Sequence, residues 1–173
     1  MDDILAKLKG GDRRSIGSSE DVVSEVCANP SLLAQLFAGW FDDDRVVRMR
    51  AADAVEKVTR ERPWLLQPWK GQLLDSGCIV IDKEVRWHVA QMLPRLKLTP
   101  REKKAVVGIL MSYLDDQSSI VKTFSMQALA DLAKRDDRLL RQVRPLIERL
   151  TRTGTPAMRS RGRKLLKQLP RCE

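Results

Sequence analysis

Apolar residues return along this chain at helical spacing, and the pattern itself returns at longer range. Four segments carry it: DRVVRMRAADAVEKV (44–58), DKEVRWHVAQMLPRL (82–96), SSIVKTFSMQALADL (118–132) and TPAMRSRGRKLLKQL (155–169). Aligned on Val47, Val85, Val121 and Met158, they are spaced by 38, 36 and 37 residues. A cation follows each anchor: Arg48, Arg86, Lys122 and Arg159. Four positions past the anchor stand Ala51, Val89, Ser125 and Gly162, and eight past it Val55, Leu93, Leu129 and Leu166. Eleven past it stand Val58, Leu96, Leu132 and Leu169. These offsets trace one face of an α-helix. The small residues at the second position predict close approach by a neighbouring helix.

A second apolar segment precedes each of these helices. SLLAQLFAGWF (31–41) puts Leu32, Leu33, Leu36, Phe37 and Trp40 on one stripe. TPREKKAVVGILMSYL (99–114) opens on a capping box, with Thr99 as N-cap, Pro100 in the first turn and Glu102 three positions on. Its stripe is Val106, Ile109, Leu110 and Tyr113. The segments 62–74 and 138–150 hold Pro68 and Pro145, so those helices are expected to start or kink at the proline. Leu36, Leu74, Leu110 and Ile147 all lie eleven positions before an anchor. The predicted unit is therefore helix, turn, helix. Nothing alternates at the period of a strand. A single hairpin cannot bury its own apolar face, so successive units are expected to stack into one right-handed, all-α superhelix. The expected division is a cap or degenerate repeat at 1–30, then repeats at 31–61, 62–98, 99–135 and 136–173. Val23 and Val26 in SSEDVVSEVCA (18–28) echo Val55 and Val58.

The turns sharpen the picture. Asp42 and Asp44 precede Val47, Asp82 precedes Val85 and Asp116 precedes Val121, while Thr153 and Thr155 take their place in the last unit. With the Val-Arg pairs, these aspartates resemble the HEAT-repeat family, and within it the short repeats named after phycobilisome lyases. The resemblance covers about 31–169. It implies a solenoid scaffold that binds other proteins. Only the branch name points to handling of a bilin chromophore. Arg48, Arg86 and Lys122 are expected to tie turns together, and the carboxylates at 42–44 and 115–116 to cap helices rather than bind metal.

Composition narrows the function classes. Aromatics make up 5% of 173 residues, so the core must be aliphatic. The longest apolar run, AVVGILM (105–111), is far short of the roughly 20 residues that cross a bilayer. MDDILAKLKGG does not read as a signal peptide. A soluble, cytoplasmic protein without a membrane partner is expected. Cys27, Cys78 and Cys172 are isolated from one another, which fits reduced thiols and no zinc motif. The net charge of +9 is uneven: residues 138–173 hold 11 basic and 2 acidic side chains, whereas the remainder is balanced at 21 of each.

Candidate chemistry lies on the second helices, away from the apolar stripe. Met49, Arg50, Asp53, Trp87, His88, Gln91, Thr123, Phe124 and Gln127 are expected to face the concave surface and form a partner-binding stripe. Ser160 and Arg161 continue it. His88, the only histidine, has no nucleophile or orienting acid at a fixed spacing. No glycine-rich phosphate loop occurs, since KGG (9–11) lacks the following Lys-Ser or Lys-Thr. No catalytic site, metal or cofactor is therefore expected. Arg159, Arg161, Arg163, Lys164, Lys167 and Arg171 form a basic patch suited to an acidic protein or to nucleic acid. The favoured reading is a non-enzymatic scaffold for a protein partner; the alternative is nucleic-acid binding. One version of the alternative follows from Trp40 and Asp44, whose Trp-x-x-x-Asp spacing is similar to that of HEAT-like alkylpurine DNA glycosylases. Against it stand the place of Asp44 at a turn and the confinement of cations to one end.

Overall fold

The computed structural model describes residues 3–10, 18–79 and 82–170. Among them, every regular element is helical: α1 (Ser19–Ala28), α2 (Leu33–Ala38), α3 (Arg45–Glu61), α4 (Lys70–Ile79), α5 (Lys83–Met92), α6 (Pro100–Tyr113), α7 (Ser119–Ala133), α8 (Asp137–Thr153) and α9 (Pro156–Gln168). The chain is an all-α repeat solenoid. An inner row runs α1, α3, α5, α7, α9, each packed on the next, and α2, α4, α6 and α8 back it as an outer row. α3, α5, α7 and α9 are the four helices the repeat pattern predicts, and α1 lies beside α3 in the same row.

Local chemistry sets where the helices begin. Asp44, Asp136 and Thr155 accept hydrogen bonds from Val46, Leu139 and Met158 backbone N–H groups at the first turns of α3, α8 and α9. Thr99 and Glu102 form the predicted capping box on α6, with Glu102 Oε2 accepting from Thr99 N at 2.7 Å. Each such bond satisfies an otherwise orphaned N–H, worth about 1 kcal/mol.

The two prolines are accommodated in different ways. Residues Pro63–Trp69 wind as a 3₁₀ helix with Pro68 inside it, and α4 begins only at Lys70. α8 does not start at Pro145 but at Asp137, and it continues through the proline to Thr153. Pro145 is exposed there, so a carbonyl left without its N–H donor can be met by water.

The core follows the predicted register. All positions at the four offsets are buried except Leu132 and Leu166, which are half-buried. Leu166 belongs to α9, which has one neighbour in the inner row where α7 has two. In the outer row, Leu33, Leu36, Phe37 and Trp40 are buried, as are Val106, Ile109, Leu110 and Tyr113. Phe37 stacks on Trp69 with centroids 4.4 Å apart, bridging the first two units.

Close approach is most severe at Gly162. A Cβ there would lie 2.0 Å from Thr151 Oγ1 and 3.0 Å from Thr151 Cβ on α8. Thr151 cannot turn away freely, because its hydroxyl donates to Ile147 O at 2.6 Å. Helix propensity favours alanine over glycine by about 1 kcal/mol, but overpacking costs about 1–3 kcal/mol. Gly162→Ala is therefore expected to lower stability in urea denaturation, and Thr151→Ala in the same chain to restore most of the loss. A more stable Gly162→Ala chain contradicts this packing.

Candidate binding groove

The turns join into a ladder along one edge of the stack. Arg48 donates from Nη1 to the carbonyls of Asp42 (2.6 Å) and Asp43 (3.0 Å), and its Nε reaches Asp82 of the next turn. Arg86 repeats the link to Asp116 at 2.7 Å. At the last junction, where threonine replaces aspartate, the Ser119 and Thr155 hydroxyls share a hydrogen bond of 2.6 Å. Asp42, Asp44 and Asp116 also accept backbone N–H groups of Asp44, Val46 and Ser118. These carboxylates thus close turns and clamp repeats. A trough of about 750 Å³ beside Asp82 and Asp116 is lined by the ion pairs Arg45–Asp82 and Arg86–Asp116, with Lys83 at its side.

The inner face holds the predicted stripe, but three of its members turn inward. Arg50 is only 2% exposed, and its guanidinium donates to the carbonyls of Leu8 (2.8 Å) and Gly10 (2.6 Å). It anchors the N-terminal segment, whose Ile4 and Leu8 are buried. Thr123 is buried with its hydroxyl on Ser119 O at 2.7 Å. His88 is buried too, edge-on to the half-buried Trp87 at 5.4 Å between centroids. The expectation that these three face a partner is corrected: helix packing and the N-terminal segment cover them. Met49 and Asp53 are half-buried, and Asp53 pairs with Lys57 at 2.9 Å, which also reaches Glu20 of α1.

Gln91, Phe124, Gln127 and Arg161 do come together. They line a cleft of about 410 Å³ crossing α3, α5, α7 and α9. Arg161 Nη1 donates to Gln127 Oε1 at 2.8 Å, and its guanidinium lies 5.8 Å from the centre of the Phe124 ring. Gln127 Nε2 in turn donates to both oxygens of Asp131, at 3.1 and 3.0 Å, and Lys134 pairs with Asp131 at 2.7 Å.

The sequence reading missed the other half of this cleft: Glu56, Arg60, Arg95 and Asp131. Arg95 and Asp131 sit ten positions past their anchors, one turn beyond Gln91 and Gln127. Following the same helical face one turn further would have found them. Glu56 is buried at 1% exposure, between Arg60 on its own helix and Arg95 on the next unit. Arg95 also donates to the Glu56 carbonyl at 3.1 Å. Burial opposes the charge on Glu56, but hydrogen bonds from Arg60 and Arg95 outweigh it and hold the carboxyl below its ordinary value. His88 meets the opposite balance. Burial pushes its imidazole down to about 3; Glu56 pulls the other way, while Lys57, Arg60 and Arg95 add to the depression.

The basic patch divides. Arg161 turns into the groove, while Arg159, Arg163, Lys164 and Lys167 are exposed. Arg171 lies outside the described residues, as do Cys172 and the side chain of Cys78. Cys27 is a half-buried free thiol. Trp40 is 2% exposed in the core, and Asp44 caps α3, so that pair is built into the scaffold. No described helix is long and apolar enough to cross a membrane.

No protein-family model and no curated protein matches the chain. Solved structures do. A crystal structure of an engineered protein is 16% identical with a TM-score of 0.61, covering 95% of this chain and 76% of that one. A computationally designed armadillo repeat protein for modular peptide recognition is 15% identical with a TM-score of 0.59, covering 96% and 81%. A designed armadillo repeat protein in complex with the peptide (KR)4 is 14% identical with a TM-score of 0.52, covering 96% and 80%. At such identities the likeness establishes the fold, a helical-repeat solenoid, and nothing finer.

Two measurements check the electrostatics. In the folded chain His88 stays neutral down to about pH 3, while the unfolded chain takes up a proton near its ordinary value of 6.5. Stability is therefore lost as pH falls from 6.5 toward 3, by roughly 2 kcal/mol between pH 6.5 and 5. His88 is the sole histidine, so His88→Leu is expected to flatten that stretch of a urea-midpoint profile. An unchanged profile contradicts the assignment. Separately, Glu56→Ala should cost about 3 kcal/mol by stranding Arg95, and a double-mutant cycle with Arg95→Ala should give a coupling of about 1–3 kcal/mol. Simple additivity contradicts the clamp.

Proposed function

We propose that this chain is a non-enzymatic scaffold whose inner groove holds an extended segment of a protein partner bearing acidic side chains. The cleft across α3, α5, α7 and α9 carries the proposal, because it combines an aromatic ring with three guanidinium groups, Arg60, Arg95 and Arg161. Its two carboxylates are already committed: Glu56 to Arg60 and Arg95, Asp131 to Gln127 and Lys134. Arg161 gives one N–H to Gln127 and keeps others for an arriving carboxylate, which also meets the net positive charge of three guanidiniums against two carboxylates. An arriving lysine or arginine meets like charge. The groove thus favours the opposite charge from the (KR)4 peptide bound by one designed neighbour. Phe124 supplies the apolar contact that interface anchors need, and Met49, Asp53, Trp87 and Gln91 extend the face.

The finer repeat type belongs to the same proposal. Two helices per unit and spacings of 36–38 residues favour short HEAT-like hairpins of the phycobilisome-lyase type. We place the unit boundaries near 31–61, 62–98, 99–135 and 136–173, after a cap at 1–30.

Fluorescence anisotropy with labelled ten-residue peptides tests the reading. Glu-rich peptides with interspersed leucine should bind, and a (KR)-repeat peptide should not. Phe124→Ala combined with Gln91→Glu, which leaves the Glu56 clamp intact, should weaken binding at least about tenfold (about 1.4 kcal/mol). Arg141→Ala with Arg163→Ala, outside the groove, should leave it intact. Equal binding by the groove variant, or preference for the basic peptide, overturns the proposal.

A further inference from the structure

The groove leaves most of the chain's excess charge unexplained. That charge sits on α8 and α9, and it is ordered. On α8, Leu139, Leu140, Val143 and Ile147 are buried. Arg138, Arg141, Arg149 and Arg152 are exposed, and their spacings of 3, 8 and 3 residues place them on the opposite side of the helix. The stripe spans about 21 Å at ~1.5 Å per residue. On α9, Met158, Gly162 and Leu165 are buried, and Arg159, Arg163, Lys164 and Lys167 are exposed.

Among the described residues, none of these eight side chains makes an ion pair or a side-chain hydrogen bond. The contrast with Arg144 is direct. Arg144 pairs with Glu148, the one described acid after Asp137, and donates to the Leu169 and Pro170 carbonyls at 3.2 and 2.9 Å. The cations that serve the scaffold are engaged. The remaining eight are held in water at close quarters, where they repel one another.

We infer that the α8–α9 hairpin binds the phosphate backbone of a nucleic-acid duplex without reading its sequence. Three observations select this occupant. The surface is arginine-rich, and the guanidinium fork matches phosphate oxygens. A duplex offers about one charge per 1.7 Å of axis, so a ~21 Å stripe meets many phosphates at once. No aromatic residue follows Phe124, so bases of a single strand have nothing to stack on. Among the described residues, the exposed large apolar side chains are Phe41, Trp64 and Ile120, all on other elements. An acidic protein would therefore find charge here but no apolar anchor.

The test titrates the full chain into a labelled 20-bp duplex of random sequence between 50 and 200 mM salt, with polyglutamate in parallel. Duplex binding should fall with salt at a log–log slope of about −4 to −5, as expected for about five neutralised phosphates. It should not depend on sequence, and it should exceed single-strand and polyglutamate binding. Replacing Arg141, Arg149, Arg163 and Lys167 together by alanine should weaken it at least about tenfold and flatten the slope. The groove variant Phe124→Ala with Gln91→Glu should bind duplex like the parent, which separates this inference from the peptide-groove reading. No duplex binding at 50 mM salt overturns the inference. So does tighter binding of polyglutamate, or a slope that the four alanines leave unchanged; the parent's slope stands as a test even if that variant folds poorly.

Discussion

Everything in this molecule depends on inner and outer helices approaching closely through one repeated position, as Ala51 does beside Gly39 and Gly162 beside Thr151. Ala51, Val89, Ser125 and Gly162 occupy it, and all are buried. A hairpin of two amphipathic helices covers too little apolar surface to offset its chain entropy. Stacking supplies the missing half, and it does so only where no side chain holds the helices apart. Ser125 meets the same demand as Ala51 because its hydroxyl donates to Val121 O at 2.8 Å and leaves no polar group stranded. Gly162 marks the extreme, with Thr151 filling the space a Cβ would need.

That close packing produces the functional surfaces as consequences. With apolar stripes turned between the rows, the opposite faces of α3, α5, α7 and α9 converge into one groove. Long polar side chains then reach from one repeat to the next, as Arg95 does to Glu56 and Arg161 to Gln127. Glu56 shows the energetic logic. A carboxylate at 1% exposure is tolerable only because two guanidiniums replace its water. The clamp fixes the orientation of α5 against α3 and also positions Arg60 and Arg95 in the cleft. At the outer edge, the arginine–aspartate ladder serves the stack alone.

Much of this architecture was legible in the sequence because it is periodic. Four copies of one apolar pattern gave the helices and their pairing, and all but Leu132 and Leu166 of the positions it marks on the inner helices are buried. Thr99 and Glu102 announced their cap. The prolines were less legible: Pro68 and Pro145 carry the same steric restriction, yet one lies in a 3₁₀ segment and the other on the exposed side of a continuous helix. Side-chain direction was the weakest point. Offsets two, three and six marked an inner face, but Arg50, Thr123 and His88 are covered by neighbours that a pattern does not place. Arg50 is hidden by a segment some forty positions earlier. Glu56 gave no signal as a buried acid, because its partner Arg95 lies in the next repeat.

Two unlike surfaces share the one scaffold: a groove whose charges are mostly spent on each other, and a terminal hairpin whose cations are not. Both require the inner row to be the rigid, cooperative element. Native-state hydrogen exchange tests that claim most directly. Amides of α3, α5 and α7, each flanked on both sides within the row, should exchange only through the largest opening of the molecule, with α2 and α4 opening more readily. If α5 exchanged as fast as α4, the inner row would not be what holds this protein together.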